Sequence, residues 1–273
     1  MITDRNGEDM KLAISNIAWA VEQDEQMYGL MKEIGYEGLE IAPTRIFPQN
    51  PYENLKAALK WQQELEKKYG FKVPSMQSIW FGRQEKIFGS GQEREILSTY
   101  TKKAIDFAAT IGCKNLVFGC PRNRVVPEGM SKEFALPFFK ELSMYAAEKG
   151  TVIGMEANPP IYNTNYINDT KEALELLKQV EVPGFGLNLD VGTMICNHEA
   201  VEILEGYVEG ISHVHISEPG LKPLEKRGLH KELAAFLKEN AYSGFVSIEM
   251  GKQEVFEKTA LEEIMCYVKE IFG

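Results

Sequence analysis

Apolar residues recur along this chain in two alternating rhythms. Short apolar or period-two runs predict strands at 11–17, 36–42, 71–79, 115–119, 151–157, 185–190, 211–217 and 245–249. Between them, three- and four-residue spacing predicts helices. Met27, Leu30, Met31 and Ile34 share one face of a helix over 23–34 that Gly35 stops. Pro51 reads as the first-turn residue of a long helix with Leu55, Ala58, Leu59, Leu65 and Tyr69 as its stripe and Gly70 as its end. Residues 89–92 read as a loop. Further helices are expected over 93–111, from an N-cap at Ser131 to about Gly150, from Asn168 to Val180, around 198–207, over 229–240 and over 254–272. Strand and helix alternate eight times without a linker-like tract, which predicts a parallel sheet. Eight such units over residues 11–273 fit a single-domain α/β fold, a closed (β/α)8 TIM barrel, with residues 1–10 as a polar N-terminal extension. An open doubly wound sheet would carry a Gly-rich phosphate turn after an early strand, and none is present.

The phase of the later strands carries the chemistry. Side chains alternate across a strand, so His213 and His215 face one way and Val214 and Ile216 the other. Asn188 and Asp190 oppose Leu187 and Leu189. Ser247 and Glu249 oppose Val246 and Ile248, and Glu156 opposes Ile153 and Met155. Fully covered parallel strands are normally apolar throughout. Here the polar phase points to a barrel lumen, and each acid falls at the C-terminal end of its run, the face where such barrels hold their sites. Glu156, Asp190, His215 and Glu249 therefore form a candidate metal-ligand set of three carboxylates and one imidazole. His213 lies one layer deeper and is assigned an orienting or packing role. His198 and His230 fall in helix or loop context and carry no site.

Composition narrows the partners. The chain has 273 residues, 44% hydrophobic and 26% charged, as in an ordinary soluble globule. Thirty basic against 40 acidic side chains give a net charge of −10, which disfavours nucleic acid. Cys113, Cys120, Cys196 and Cys266 lack zinc or redox spacing and are read as buried thiols in a reducing compartment. Residues 1–10 lack the apolar core of a signal peptide, and no apolar run is long enough to span a bilayer. A cytoplasmic protein without membrane partners is expected, with homo-oligomerisation left open.

Three crowded carboxylates repel unless a cation sits among them. A divalent ion on Glu156, Asp190, His215 and Glu249 leaves about one net negative charge and open positions for a substrate's vicinal oxygens. Glu156 and Glu249, taken to lie on opposite sides of the barrel, would flank the substrate as an acid/base pair, with an enediolate stabilised between them. Glu40, Gln77 and Asn158, near strand ends, are candidate substrate contacts. Trp80 is a candidate aromatic platform for a sugar ring. Arg122 and Arg124 follow the fourth strand and are read as solvated loop charges in preference to anion grips.

These residues resemble the sugar isomerase/epimerase superfamily with a xylose-isomerase-like TIM barrel, and within it the ketose 3-epimerases and hydroxypyruvate isomerases. The resemblance rests on Gly154-Met-Glu-Ala-Asn-Pro159, Leu187-Asn-Leu-Asp-Val-Gly192, His213-Val-His-Ile-Ser-Glu218 and Val246-Ser-Ile-Glu-Met250, with gaps of 34, 25 and 34 between the four site residues. It implies manganese as the ion, with magnesium, cobalt and zinc as alternatives, and Glu156 and Glu249 as the catalytic pair. It implies a metal-dependent isomerase or epimerase of a sugar or sugar phosphate, in carbohydrate metabolism. Three positions depart from the family. Thr193 stands where a His follows the metal Asp, Leu221 beside Lys222 where an Arg follows the metal His, and Tyr162 where a Glu follows the strand-five Glu. Glu218 and Lys222 are kept as candidate substrate contacts. A dehydratase of polyol, inosose or dehydroshikimate type is the alternative on the same site. A type IV endonuclease-like enzyme, which needs more histidines than the four present, and a non-catalytic sugar-binding barrel are weaker alternatives.

Overall fold

A computed structural model describes residues 10–273; the expected N-terminal extension falls, apart from Met10, outside the described residues. Met10 is half-buried against the core. Eight parallel strands follow one another around the molecule: β1 (Lys11–Ser15), β2 (Gly38–Glu40), β3 (Ser75–Met76), β4 (Asn115–Phe118), β5 (Val152–Met155), β6 (Phe185–Asp190), β7 (Ile211–Ser217) and β8 (Phe245–Glu249). Their order, β2-β1-β8-β7-β6-β5-β4-β3, is circular, and the bridges Gly38–Lys72 and Ile41–Met76 close the ring between β2 and β3. The barrel expectation holds, and β6, β7 and β8 begin and end where the pattern places them. The early strands are shorter than their apolar runs. Around β3 only two residues form a ladder, because Pro74 has no N–H to contribute and its carbonyl instead accepts from the amides of Lys114 and Asn115.

Outside the ring run the helices α1 (Asp24–Ile34), α2 (Pro43–Ile46), α3 (Leu55–Tyr69), α4 (Gly91–Thr110), α5 (Leu136–Glu148), α6 (Thr170–Val180), α7 (Val191–Asn197), α8 (Gly228–Glu239) and α9 (Lys258–Phe272). Gly35 and Gly70 end α1 and α3 in the left-handed region, at φ +97° and +83°. Pro51 does not open α3. Asn54 does, its side chain accepting from the Ala57 amide. Helix α4 starts inside the expected loop, where Ser90 and Glu93 satisfy each other's backbone amides. Ser131 caps a 3-10 turn over Lys132–Ala135 that leads into α5. The helix expected around 198–207 is replaced by α7, directly after β6, and by short 3-10 turns. Asp190 is the reason: its side chain accepts from the Thr193 amide and nucleates a helix where the strand ends.

Residues of the apolar phase, such as Ile153, Leu187, Leu189, Val214, Ile216, Val246 and Ile248, are buried between ring and helices. Each such side chain contributes roughly 1.5–3 kcal/mol. The lumen is polar instead. At its lower end Ser212 donates to Asn115, and Asn115 donates to Ser75 and Asn188. Ser212 reaches inward because the β6–β7 ladder slips by one residue between Leu187/Ile211 and Asn188/His213. Gly154 and Gly186 leave room for this cluster, since a Cβ on Gly154 would lie 2.3 Å from the Asn115 side-chain oxygen. The slip also puts Asp190 beside His215, and β7 puts Ser217 beside Glu249.

Candidate metal and sugar site

Register and phase bring Glu156, Asp190, His215 and Glu249 together at the C-terminal mouth, with one donor atom from each within 4.8 Å of the others. Nδ1 of His215 lies 3.1 Å from Oε1 of Glu156 and 3.2 Å from Oε2 of Glu249, so the two glutamates reach the ring from β5 and β8, three strands apart. Glu156 and Asp190 are held from behind. Asn158 donates to Glu156 Oε2 at 2.9 Å and Asn188 to Oε1 at 3.2 Å. Asp190 accepts from the Thr193 amide and from the Ser217 hydroxyl. Gly119 leaves room for this carboxylate, since a Cβ would stand 2.6 Å from Glu156 Oε2 and displace it.

Beneath lies a second layer. Oε2 of Glu40 meets Nε2 of His215 at 3.0 Å and Nε2 of His213 at 2.7 Å, and Gln77 donates to Oε1 at 2.9 Å. Because Glu40 takes Nε2 of His215, Nδ1 is the nitrogen that faces the acids. His213 packs edge-on against His215 and meets Glu40 one layer below the four-residue cluster.

Electrostatics follow from burial. Desolvation pushes Glu40 upward, but the charges and hydrogen bonds of His215 and His213 overcome it and hold the carboxyl below the usual range. Burial works against the His215 cation, yet Glu40 and Glu249 raise it well above its ordinary value. Burial pushes Asp190 up to about 6, with Glu156 adding repulsion. It pushes Glu249 up to about 7, His215 opposing and the other two acids adding. Acids this strained, sharing one point with an imidazole nitrogen and backed by fixed donors, fit a divalent cation.

The three acids open into a cavity of about 200 Å³ that Gln77, Asn158, Tyr162, Glu218, Leu221 and Cys120 also line, with His215 buried beneath them. Two wider clefts elsewhere, one by Met10 and Phe272 and one by Trp19 and Phe256, hold no comparable set of ligands among the described residues. Gln77 and Asn158 are thus brought to the site. Glu40 is not: it is fully buried on the two histidines. Trp80 is not: it is 2% exposed, donates to Thr101 and packs on Phe118 and Phe138. Lys222 is exposed and does not line the cavity, while Glu218 lines it with both oxygens engaged by Arg227. Arg122 is exposed as expected. Arg124 is not a solvated charge; it is fully buried behind Asn158. Of the cysteines only Cys113 is fully buried, and Cys266 is exposed. Ser217 was missed, although its place two residues after His215 on the same strand face was a usable signal. Tyr162 bridges two loops over the mouth, its hydroxyl accepting from the Gly220 amide.

No curated protein sequence matches the chain. Among solved structures it resembles a 3-keto-D-glucoside 4-epimerase from E. coli at 19% identity and a TM-score of 0.76, covering 96% of this chain and 99% of that one. A D-psicose 3-epimerase from Clostridium cellulolyticum H10, solved with D-tagatose, matches at 14% identity and a TM-score of 0.77 over the same shares of the two chains, 96% and 99%. A D-allulose 3-epimerase from Methylomonas sp., in complex with D-allulose, matches at 19% identity and a TM-score of 0.70, covering 95% and 90%. At these identities the likeness is one of fold. Residues 29–270 match the family model described as xylose isomerase-like TIM barrel, and the chain belongs to that family.

Proposed function

We propose that this protein is a divalent-metal-dependent isomerase or epimerase of an uncharged sugar. The observation that supports it most is the convergence of three carboxylates and one imidazole nitrogen within 4.8 Å at the floor of a sugar-sized cavity. Glu156, Asp190, His215 and Glu249 would hold the ion, manganese by resemblance. Bound there, the ion would polarise the substrate carbonyl and offset the charge of an enediolate. Glu156 and Glu249 are the acid/base pair: one takes the proton from the carbon next to the carbonyl and the other delivers a proton to the opposite face or to the neighbouring carbon. Asn158 and Asn188 hold Glu156 in place, and His215 is fixed by Glu40.

Charge favours a free sugar over a sugar phosphate. Among the described residues no Lys or Arg lines the cavity, and the two cations one residue behind it are engaged, Arg227 with Glu218 and Arg124 with Asn158. Three acids and a divalent ion leave about −1, which repels a phosphate dianion. Solvent deuterium is the test. The manganese-loaded protein is incubated with free ketoses, hydroxypyruvate and inososes in D2O, with Glu249→Gln as control. Deuterium entering one of the uncharged sugars, and not with the control, is the expected result; exchange into hydroxypyruvate, an anion, would overturn the charge argument. A product lighter by one water would make the enzyme a dehydratase, and absence of exchange and of product across the panel would count against proton transfer on these substrates.

A further inference from the structure

Arg124 lies just beyond the 3-10 turn Pro121–Asn123 that follows β4, with no exposed surface. A buried guanidinium normally sits on a carboxylate. Here the two partners are neutral: Nη2 donates to the Asn158 side-chain oxygen at 2.7 Å and Nη1 to the Met155 sulfur at 3.1 Å. Burial lowers the guanidinium only to about 10, so it stays charged at neutral pH. Arginine has donors only. It therefore obliges Asn158 to turn its oxygen inward and its NH2 outward, and that NH2 donates to Glu156 Oε2 at 2.9 Å. Without the cation the amide could flip and present an oxygen to the carboxylate.

We infer that Arg124 is a positioning residue for the site, locking the Asn158 amide so that Glu156 is held as ligand and base. The inference rests on the metal-site reading above. It accounts for a charge in the core whose burial no contacting carboxylate offsets. Arg124 does not line the cavity, so it touches no substrate.

The experiment measures manganese affinity by electron paramagnetic resonance for the full chain, Arg124→Met, Asn158→Leu and the double variant, each checked for folding by circular dichroism. Arg124→Met is expected to weaken manganese binding roughly 10- to 100-fold, the range for groups that orient a ligand. Asn158→Leu should do the same, and the double variant should be no weaker than the worse single one, because both changes break one chain of contacts. Arg124→Lys, which keeps the charge but not the fork, should recover part of the loss. A purely structural Arg124 would lower the melting temperature and leave the affinity of the folded protein unchanged, which overturns the inference. Losses that multiply in the double variant overturn it as well. If Arg124→Met does not fold, Arg124→Gln carries the same cycle. A wild-type chain that binds no manganese overturns the site reading, and this inference with it.

Discussion

Replacing Glu249 with Gln should make the metal-free protein more stable while disabling it. In the metal-free state burial and two neighbouring acids lift Glu249 from 4.5 to about 7. A carboxyl with a raised folded pKa binds its proton more tightly when folded, so stability falls as pH rises from the unfolded to the folded value. Below about pH 4.5 the group contributes nothing. Across pH 4.5–7 the cost grows, and above pH 7 it is full. The shift corresponds to roughly 3 kcal/mol above pH 7 and under about 1 kcal/mol near pH 5. A Gln has no charge to bury and can still accept from the His215 ring. In a chain of this size about 3 kcal/mol corresponds to roughly 5 °C in melting temperature. The assay is a thermal melt in chelator at pH 8 and pH 5, wild type against Glu249→Gln. The variant should melt higher at pH 8 and nearly level with wild type at pH 5. Adding manganese should raise the wild type, by about 2.7 kcal/mol at a hundredfold excess over the dissociation constant, and raise the variant much less. A variant that melts lower at both pH values would refute the reasoning, because it would mean that the Glu249 carboxylate is stabilised, not strained, in the empty cluster.

Three further outcomes follow from the same geometry. Gly119→Ala puts a Cβ against Glu156 and should cut turnover 100-fold or more, an effect of about 3 kcal/mol on the barrier, with little change in a denaturant melt. Glu40→Ala leaves two buried histidines without their acceptor and should cost about 3–5 kcal/mol in chemical denaturation, together with at least 10-fold in manganese affinity. Lys222→Ala changes an exposed side chain outside the cavity and should alter neither the melt nor KM beyond about 2-fold; a large rise in KM would mean that this loop closes over the substrate.

What could be known in advance was what depends on local order. Toward their C-terminal ends β6, β7 and β8 alternate between an apolar phase and a polar one, and there a side chain's face follows from position; at Ser212 the register slip overrides it. That rule was enough for the ring, the mouth and the four convergent groups. It failed where a contact distant in the chain overrides the local pattern. Asp190 was legible as a lumen acid but not as the cap that starts α7, because one side chain serves both. Glu40, Gln77 and Trp80 all stand near strand ends, yet only Gln77 lines the cavity. Glu40 is drawn down by histidines 173 and 175 residues away, and Trp80 is turned outward to Thr101. Arg124 looks like any loop arginine in sequence, and its burial depends on an asparagine from the next strand's loop. Which residues could meet was set by the two-residue period of the strands. How deep each one sits, and which proton each one holds, was decided only when the closed barrel removed water and left each polar group to the partners that packing had brought.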